Sequence, residues 1–188
     1  MPKMILNFIK QRECLNGKPN IMAYKDSANI WTIGYGQNLF YTSDLIRIKN
    51  NSSYKYAEKI TDLPKEYQVW DLEKCELEFN KHVLDKINIL KKYNFDKVLT
   101  EFQFGALLDF TFQFGERTEF LNYIKNNYTD DLKIINKFFE WSKVSVNGVL
   151  TLSKGILMRR KLELIQLWFI SNQAGINLTE AVYKQLIK

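Results

Sequence analysis

The sequence predicts an α+β fold, and three observations predict it. Short β-type runs, MAY, IWTIGYG and LFY, are confined to one stretch between Ile21 and about Arg47. A brief helical pattern precedes them. From Asp71 onward, apolar residues recur at spacings of three and four almost to the C-terminus. Strands gathered in one patch with helices elsewhere make a small sheet lobe and a larger helical lobe, with a cleft expected between them. The expected division is a β lobe over about 15–66 and a helical lobe of about 1–14 plus 67–188, together one domain.

Taken in order, Met4, Ile5, Phe8 and Ile9 repeat at helical spacing and predict an amphipathic helix over 3–13. Asn16, Gly17 and Pro19 stop it near Glu13. The strand runs follow. Polar residues then predict a loop from Asn50 to Pro64, with Asn50, Asn51, Ser52 and Ser53 at its tip. Leu72, Cys75, Leu77, Phe79, Val83, Leu84, Ile87 and Leu90 mark a long helix over 71–92, able to join two lobes. Further helices are expected over 100–114, 120–126, 130–143, 153–170 and from Leu178, with Trp31, Trp70, Trp141 and Trp168 as core anchors.

Composition narrows the function. Of 188 residues, 46% are hydrophobic and 14% aromatic, enough for a proper core and against a disordered chain. A net charge of +6 favours an anionic partner: nucleic acid, a membrane surface or an acidic wall polymer. The basic residues are scattered in KK, KNN and RRK fragments, without the cationic block of a nucleic-acid-binding arm. The N-terminal MPKMILNFIKQRE has an apolar run too short for a signal peptide and broken by Asn7, Lys10 and Arg12. No segment approaches the roughly 20 apolar residues of a membrane span. The expectation is a protein made soluble in the cytoplasm, with no stable membrane insertion. Cys14 and Cys75 form no metal or disulfide pattern, and His82 has no second histidine, so no metal and no cofactor are expected. His82 reads as a surface or half-buried helix residue.

The chemistry rests on two acids. Asp26 lies in the turn YKDSAN directly before the strand IWTIGYG, and Glu13 lies at the C-terminal end of the first helix. A helix end carries partial negative charge, which disfavours ionisation of a carboxylate placed there. That suits a general acid, while Asp26 in a polar turn should stay ionised. Two carboxylates pushed apart in this way are the equipment for glycoside hydrolysis.

The residues FIKQRE, AYKDS and WTIGYG resemble the phage-type lysozymes of glycoside hydrolase family 24. Their motif is a Glu at a helix end, an Asp in a Tyr-x-Asp-Ser turn and a Thr in a Thr-Ile-Gly-x-Gly strand, matched here by Glu13, Asp26 and Thr32. Downstream, TEFQFGALLDFTFQFGE is similar to the family helix bearing Phe-(Asn/Gln)-x-Gly, here Phe112 to Gly115. FFEW and GILMRRKLELIQLW resemble its closing helices. The chain departs from the pattern in places. Thirteen positions separate Glu13 from Asp26, with the excess in LNGKPN. Cys14 follows the acid in place of Gly, Asn29 replaces a turn Gly, and Gln37 stands where the family often has His.

The resemblance implies a lysozyme-like fold and hydrolysis of the β-1,4 bond between N-acetylmuramic acid and N-acetylglucosamine, by a monomer whose partner is peptidoglycan glycan strands and not nucleic acid. In that reading Glu13 protonates the leaving oxygen, Asp26 activates a water and Thr32 holds it, an inverting course. Tyr35, Gly36, Gln37, Phe112, Gln113 and Arg159 fall on the substrate side. Phe112 and Tyr35 are candidates to floor the sugar cleft, since aromatic faces pack on pyranose rings, and candidates for the core as well. Of Arg159 and Arg160 at most one should face inward, because helix neighbours point about 100° apart. The inward one is a candidate partner of Glu13. Cys14 reads as a small buried residue. Two rivals remain: an inactive glycan-binding or inhibitor module on the same fold, and a basic helical nucleic-acid binder. Without a signal of its own, the enzyme would reach the wall by release or by another system.

Overall fold

A computed structural model describes residues 1–14, 17–26, 29–39, 57–146 and 148–188. Its contacts group the chain into two compact units, Leu6–Val83 and Met1–Ile5 with Leu84–Lys188. The architecture is α+β, with a three-stranded antiparallel sheet near the N-terminus and helices through most of the remainder.

In the first unit, helix α1 (Lys3–Glu13) leads into strands β1 (Asn20–Lys25), β2 (Trp31–Gly34) and β3 (Gln37–Asn38), which pair in chain order. Tyr24 lies opposite Thr32, and Thr32 opposite Asn38, so Thr32 occupies the central strand. All four β2 residues are buried. Of the run LFY, only Leu39 is a described residue. The loop tip Asn50–Ser53, Leu15 and Asn16 of the insertion, and Ser27 and Ala28 of the turn also lie outside the described residues. A 3-10 turn (Ile60–Asp62) and α2 (Lys65–Gln68) precede the long helix α3 (Leu72–Lys92).

The sheet's unit therefore takes in α1 from Leu6 and α3 as far as Val83. Specific contacts explain why. The Cys14 thiol, one residue past α1, donates to the Gly34 carbonyl at 3.3 Å. Glu76 of α3 accepts from both Lys10 and the Tyr35 hydroxyl. The Tyr35 ring lies 5.0 Å from that of Phe79, one helical turn beyond Cys75. Both cysteines are free and buried, and His82 is half-buried.

The second unit is built from α4 (Phe95–Val98), α5 (Glu101–Phe114), α6 (Thr118–Asn127), α7 (Asp131–Glu140), α8 (Lys154–Glu163) and α9 (Gln173–Leu186). A capping box starts α5: the Thr100 side chain accepts from Gln103 N–H and the Gln103 side chain from Thr100 N–H. Phe104 through Phe112 are then all buried, as an all-round apolar helix requires. Gly105 admits the Ile5 side chain; a Cβ there would lie 2.7 Å from Ile5 Cδ1. Phe110 stacks on Phe120 at 3.7 Å and meets Phe138 and Trp141 edge-on.

Three expectations need correction here. The helix expected over 130–143 ends at Glu140, and strands are not confined to the N-terminal patch. β4 (Lys143–Val146) and β5 (Val149–Leu152) form a separate two-stranded antiparallel sheet. Alternation and Asn-Gly in KVSVNGVLTL carry the hairpin signal, and it outweighs helical spacing. The helix expected over 153–170 keeps α8 only to Glu163, where five residues, Leu164–Trp168, widen into a π-turn.

Phe110→Ala should lower stability by about 3–5 kcal/mol, because it empties the centre of a stacked aromatic cluster. Urea denaturation of both proteins measures it. A change below about 1 kcal/mol would show that the cluster collapses around the hole.

Candidate active site

Glu13 is the last residue of α1, and its carboxyl lies against the backbone of the β2–β3 turn. A Cβ at Gly36 would stand 3.1 Å from Glu13 Oε2 and crowd the carboxyl, and the left-handed φ of +78° strains any side chain there, so glycine suits the position. Gln37 fixes the same turn. Its Oε1 accepts from Tyr35 N–H at 2.6 Å, and a Cβ at Gly34 would lie 2.5 Å from that oxygen. Two glycines, one making room for a carboxyl and one for an amide, thus shape the ground beside Glu13.

Asp26 closes its own turn. Its N–H donates to Ile30 carbonyl and its Oδ1 accepts from Ile30 N–H, both at 2.9 Å. Asn29 between them takes φ 60°, the left-handed conformation expected of the residue that replaces a turn glycine. Thr32 is buried, and its hydroxyl donates to Ile30 carbonyl at 3.1 Å. Glu13, Asp26, Thr32, Tyr35, Gly36 and Gln37 all belong to the unit Leu6–Val83, while Phe112, Gln113 and Arg159 belong to the other.

Tyr35 and Gln37, expected on the substrate side, with the core as the other reading of Tyr35, are both buried. Tyr35 is 3% exposed, with its hydroxyl on Glu76 and its ring beside Phe79, so it serves the core of its unit. Gln37 is 1% exposed and turns inward as the clamp of the turn. The glycines explain both: without Cβ atoms on either side, the turn folds tightly enough to tuck these side chains in. Phe112 is buried on α5, and Gln113 is half-buried and accepts from Arg160 Nη2 at 2.6 Å.

The arginine pair also departs from expectation, since both guanidinium groups are withdrawn from solvent. Arg159 grips Asp109 with two prongs, Nε to Oδ2 at 3.1 Å and Nη2 to Oδ1 at 2.7 Å. Arg160 is fully buried, with Nη2 2.6 Å from Glu163 Oε1 and its guanidinium 5.0 Å from the Phe110 ring centre. Two buried acids let consecutive arginines both go inside. Asp109 and Glu163 were missed as a pair, although Asp109 is the lone charge within the apolar run FGALLDFTF. Burial alone would raise the Asp109 pKa, but the charge of Arg159 and the bonds from Glu163 and Arg159 bring it below the usual range. Burial pushes Glu163 well above its usual range, against the charge of Arg160 and with that of Asp109. One proton shared between the acids, carried on Glu163, accounts for both directions.

No group of three or more His, Cys, Asp or Glu able to hold a metal occurs among the described residues. No described helix is long and apolar enough to cross a membrane.

The sequence profile of the phage lysozyme family matches residues 18–163, a span that includes Asp26, Thr32 and Arg159 and begins after Glu13. Among solved structures, the chain is similar to the endolysin from Escherichia coli O157:H7 phage FAHEc1, at 23% identity and TM-score 0.61 over 92% of this chain and 93% of that one. It is also similar to the muramidase domain of SpmX from Asticaccaulis excentricus, at 18% identity and TM-score 0.59 over 86% of this chain and 92% of that one. No curated protein sequence matches it.

The cluster gives a pH prediction. The depressed Asp109 contributes stability above its ordinary pKa of about 3.9, lost as pH falls through its folded value. The raised Glu163 acts oppositely: its contribution is full below about pH 4.3 and fades as pH rises towards its folded value. Glu163→Gln should therefore flatten the decline in melting temperature above about pH 4.5. Asp109→Asn should cost about 3–5 kcal/mol at neutral pH and progressively less in acid. Melting curves from pH 3 to 9 that run parallel in all three proteins would contradict the shared proton.

Proposed function

The chain belongs to the phage lysozyme family and is a glycoside hydrolase of peptidoglycan; from that premise we propose that it cleaves the β-1,4 bond between N-acetylmuramic acid and N-acetylglucosamine with Glu13 as acid and Asp26 as base. The observation that carries the assignment is the glycine-lined seat of the Glu13 carboxyl at the end of α1, in the same unit as Asp26 and Thr32. Glu13 protonates the glycosidic oxygen as the bond to the sugar carbon breaks. Asp26 takes a proton from the attacking water.

The hydrogen bond of Thr32 supports its part. With the hydroxyl proton directed to Ile30 carbonyl, the oxygen offers lone pairs and accepts from the water. A water giving one hydrogen to Thr32 and the other to Asp26 keeps a lone pair for the anomeric carbon. This is the inverting course, which requires carboxyls about 6.5–9.5 Å apart. Within this reading the enzyme works as a monomer and reaches the wall after release, or through another system such as a membrane lesion made by a second protein.

Glu13→Gln should fold normally and lose at least about 10²–10⁴-fold in wall hydrolysis, since an amide has no proton to give the leaving group. Asp26→Asn should be comparably damaging. Thr32→Ser should retain more activity than Thr32→Val, which keeps the shape and removes the lone pairs. The measurement is release of new reducing ends from purified peptidoglycan, with their anomeric configuration followed by NMR. Near-native turnover in Glu13→Gln would overturn the acid assignment, and retained configuration would overturn the inverting course.

A further inference from the structure

The hairpin β4–β5 has no part in the chemistry above, and its surface is unlike that of a solvated turn. Every described side chain of both strands is exposed. Lys143 lies opposite Leu152, Val144 opposite Thr151 and Ser145 opposite Leu150. Large aliphatic groups stand in water on both faces: Leu150 is 70% exposed, Val149 65%, Val144 37% and Leu152 36%. An isolated two-stranded ribbon is marginally stable in water, and its exposed aliphatic side chains, the most exposed being Val149 and Leu150 nearest the tip, call for an apolar partner.

Charge indicates which one. From Trp141 to Leu162 the chain carries Lys143, Lys154, Arg159, Arg160 and Lys161 and no acidic residue. Arg159 and Arg160 are spent on the internal acids, and Lys161 pairs with Glu180. Lys143 and Lys154, at the base of the ribbon, are exposed and make no ion pair with a described residue. Glu140, the nearest acid before the ribbon, is bound to Lys137. The ribbon is thus apolar towards its tip and cationic at its base.

We propose that this hairpin docks reversibly on an anionic phospholipid surface, with Val149 and Leu150 entering the interface and Lys143 and Lys154 on the headgroups. A four-residue strand is about 13 Å long, which matches a structure entering the roughly 5–10 Å between headgroups and acyl chains. Aliphatic side chains and cations both find partners there. Wall polymers would satisfy only the cations, and a second copy of the ribbon would bring like charges together. Such docking would hold a soluble hydrolase at the membrane face that borders its substrate.

The test is cosedimentation of the full chain with large unilamellar vesicles of phosphatidylglycerol and phosphatidylethanolamine, and with vesicles of phosphatidylcholine alone. Binding should favour the anionic vesicles and weaken as salt rises. The pair Val149→Thr and Leu150→Ser should weaken it about tenfold or more, and the pair Lys143→Ser and Lys154→Ser about tenfold or more. Circular dichroism melts check that each variant folds, and the second pair keeps the test decisive if the first does not. Absent or equal binding to the two vesicle types would overturn the proposal. So would a dimer in light scattering, or retention on lipid-free sacculi, that the Val149/Leu150 variant loses. Vesicle binding is read without cell wall, so its failure would leave the hydrolase reading untouched.

Discussion

The approach of the Gly36 backbone to the Glu13 carboxyl is the constraint on which the unit Leu6–Val83 depends. A Cβ at position 36 would stand 3.1 Å from Oε2 and displace the carboxyl slightly, and the left-handed φ of +78° strains any side chain there, so glycine lets the acid and the turn lie together undisturbed. That turn is itself held by a buried amide, Gln37 on Tyr35 N–H, which in turn needs the bare backbone of Gly34. Tyr35, carried between the two glycines, is thrust into the core, where Glu76 and Phe79 of α3 receive it. The Cys14 thiol closes the circuit by donating to Gly34 carbonyl. Helix end, turn and long helix are linked through backbone that only glycine can supply.

The helical unit solves a different problem, the burial of charge. Two arginines and two acids share an interior lined by Phe110 and Phe114, where a lone guanidinium would be prohibitively costly to desolvate. Two-pronged bonding between Arg159 and Asp109 supplies both partners with fixed geometry. Glu163 lies 2.6 Å from Arg160 Nη2, and burial, with the charge of Asp109, pushes its pKa well above the usual range. Gln113, within the Phe-Gln-Phe-Gly motif, belongs to this network through Arg160. In this chain Gln113 of that motif serves an internal hydrogen bond.

Local signals were legible wherever a single residue governs the outcome. Asn29 was suited to a left-handed turn and takes one. The helix expected over 100–114 forms over Glu101–Phe114, and Cys14 is buried. Errors arose where one local signal competed with another. In KVSVNGVLTL the alternation and the Asn-Gly pair are present, yet the expected helix runs to Lys143 and no strand is expected after it. At Arg159 and Arg160 the 100° rule holds for a bare helix, yet both side chains turn inward because a long, flexible stem can bend towards an acid on either side.

The sequence by itself determined the α+β class, the long helix, the two candidate acids and the family resemblance, because these depend on periodicity and on motifs contiguous in the chain. Tertiary structure alone decided that Gly36 lies against the Glu13 carboxyl, that Tyr35 and Gln37 face inward, and that Asp109 and Glu163 partner two inward-turned arginines. The deciding contacts, Gly36 with Glu13, Tyr35 with Glu76 and Asp109 with Arg159, join residues far apart along the chain, so no local pattern contains them. The exposure of the β4–β5 ribbon is of the same kind: its alternation announces strands, but only the packing of everything else leaves both of its faces uncovered.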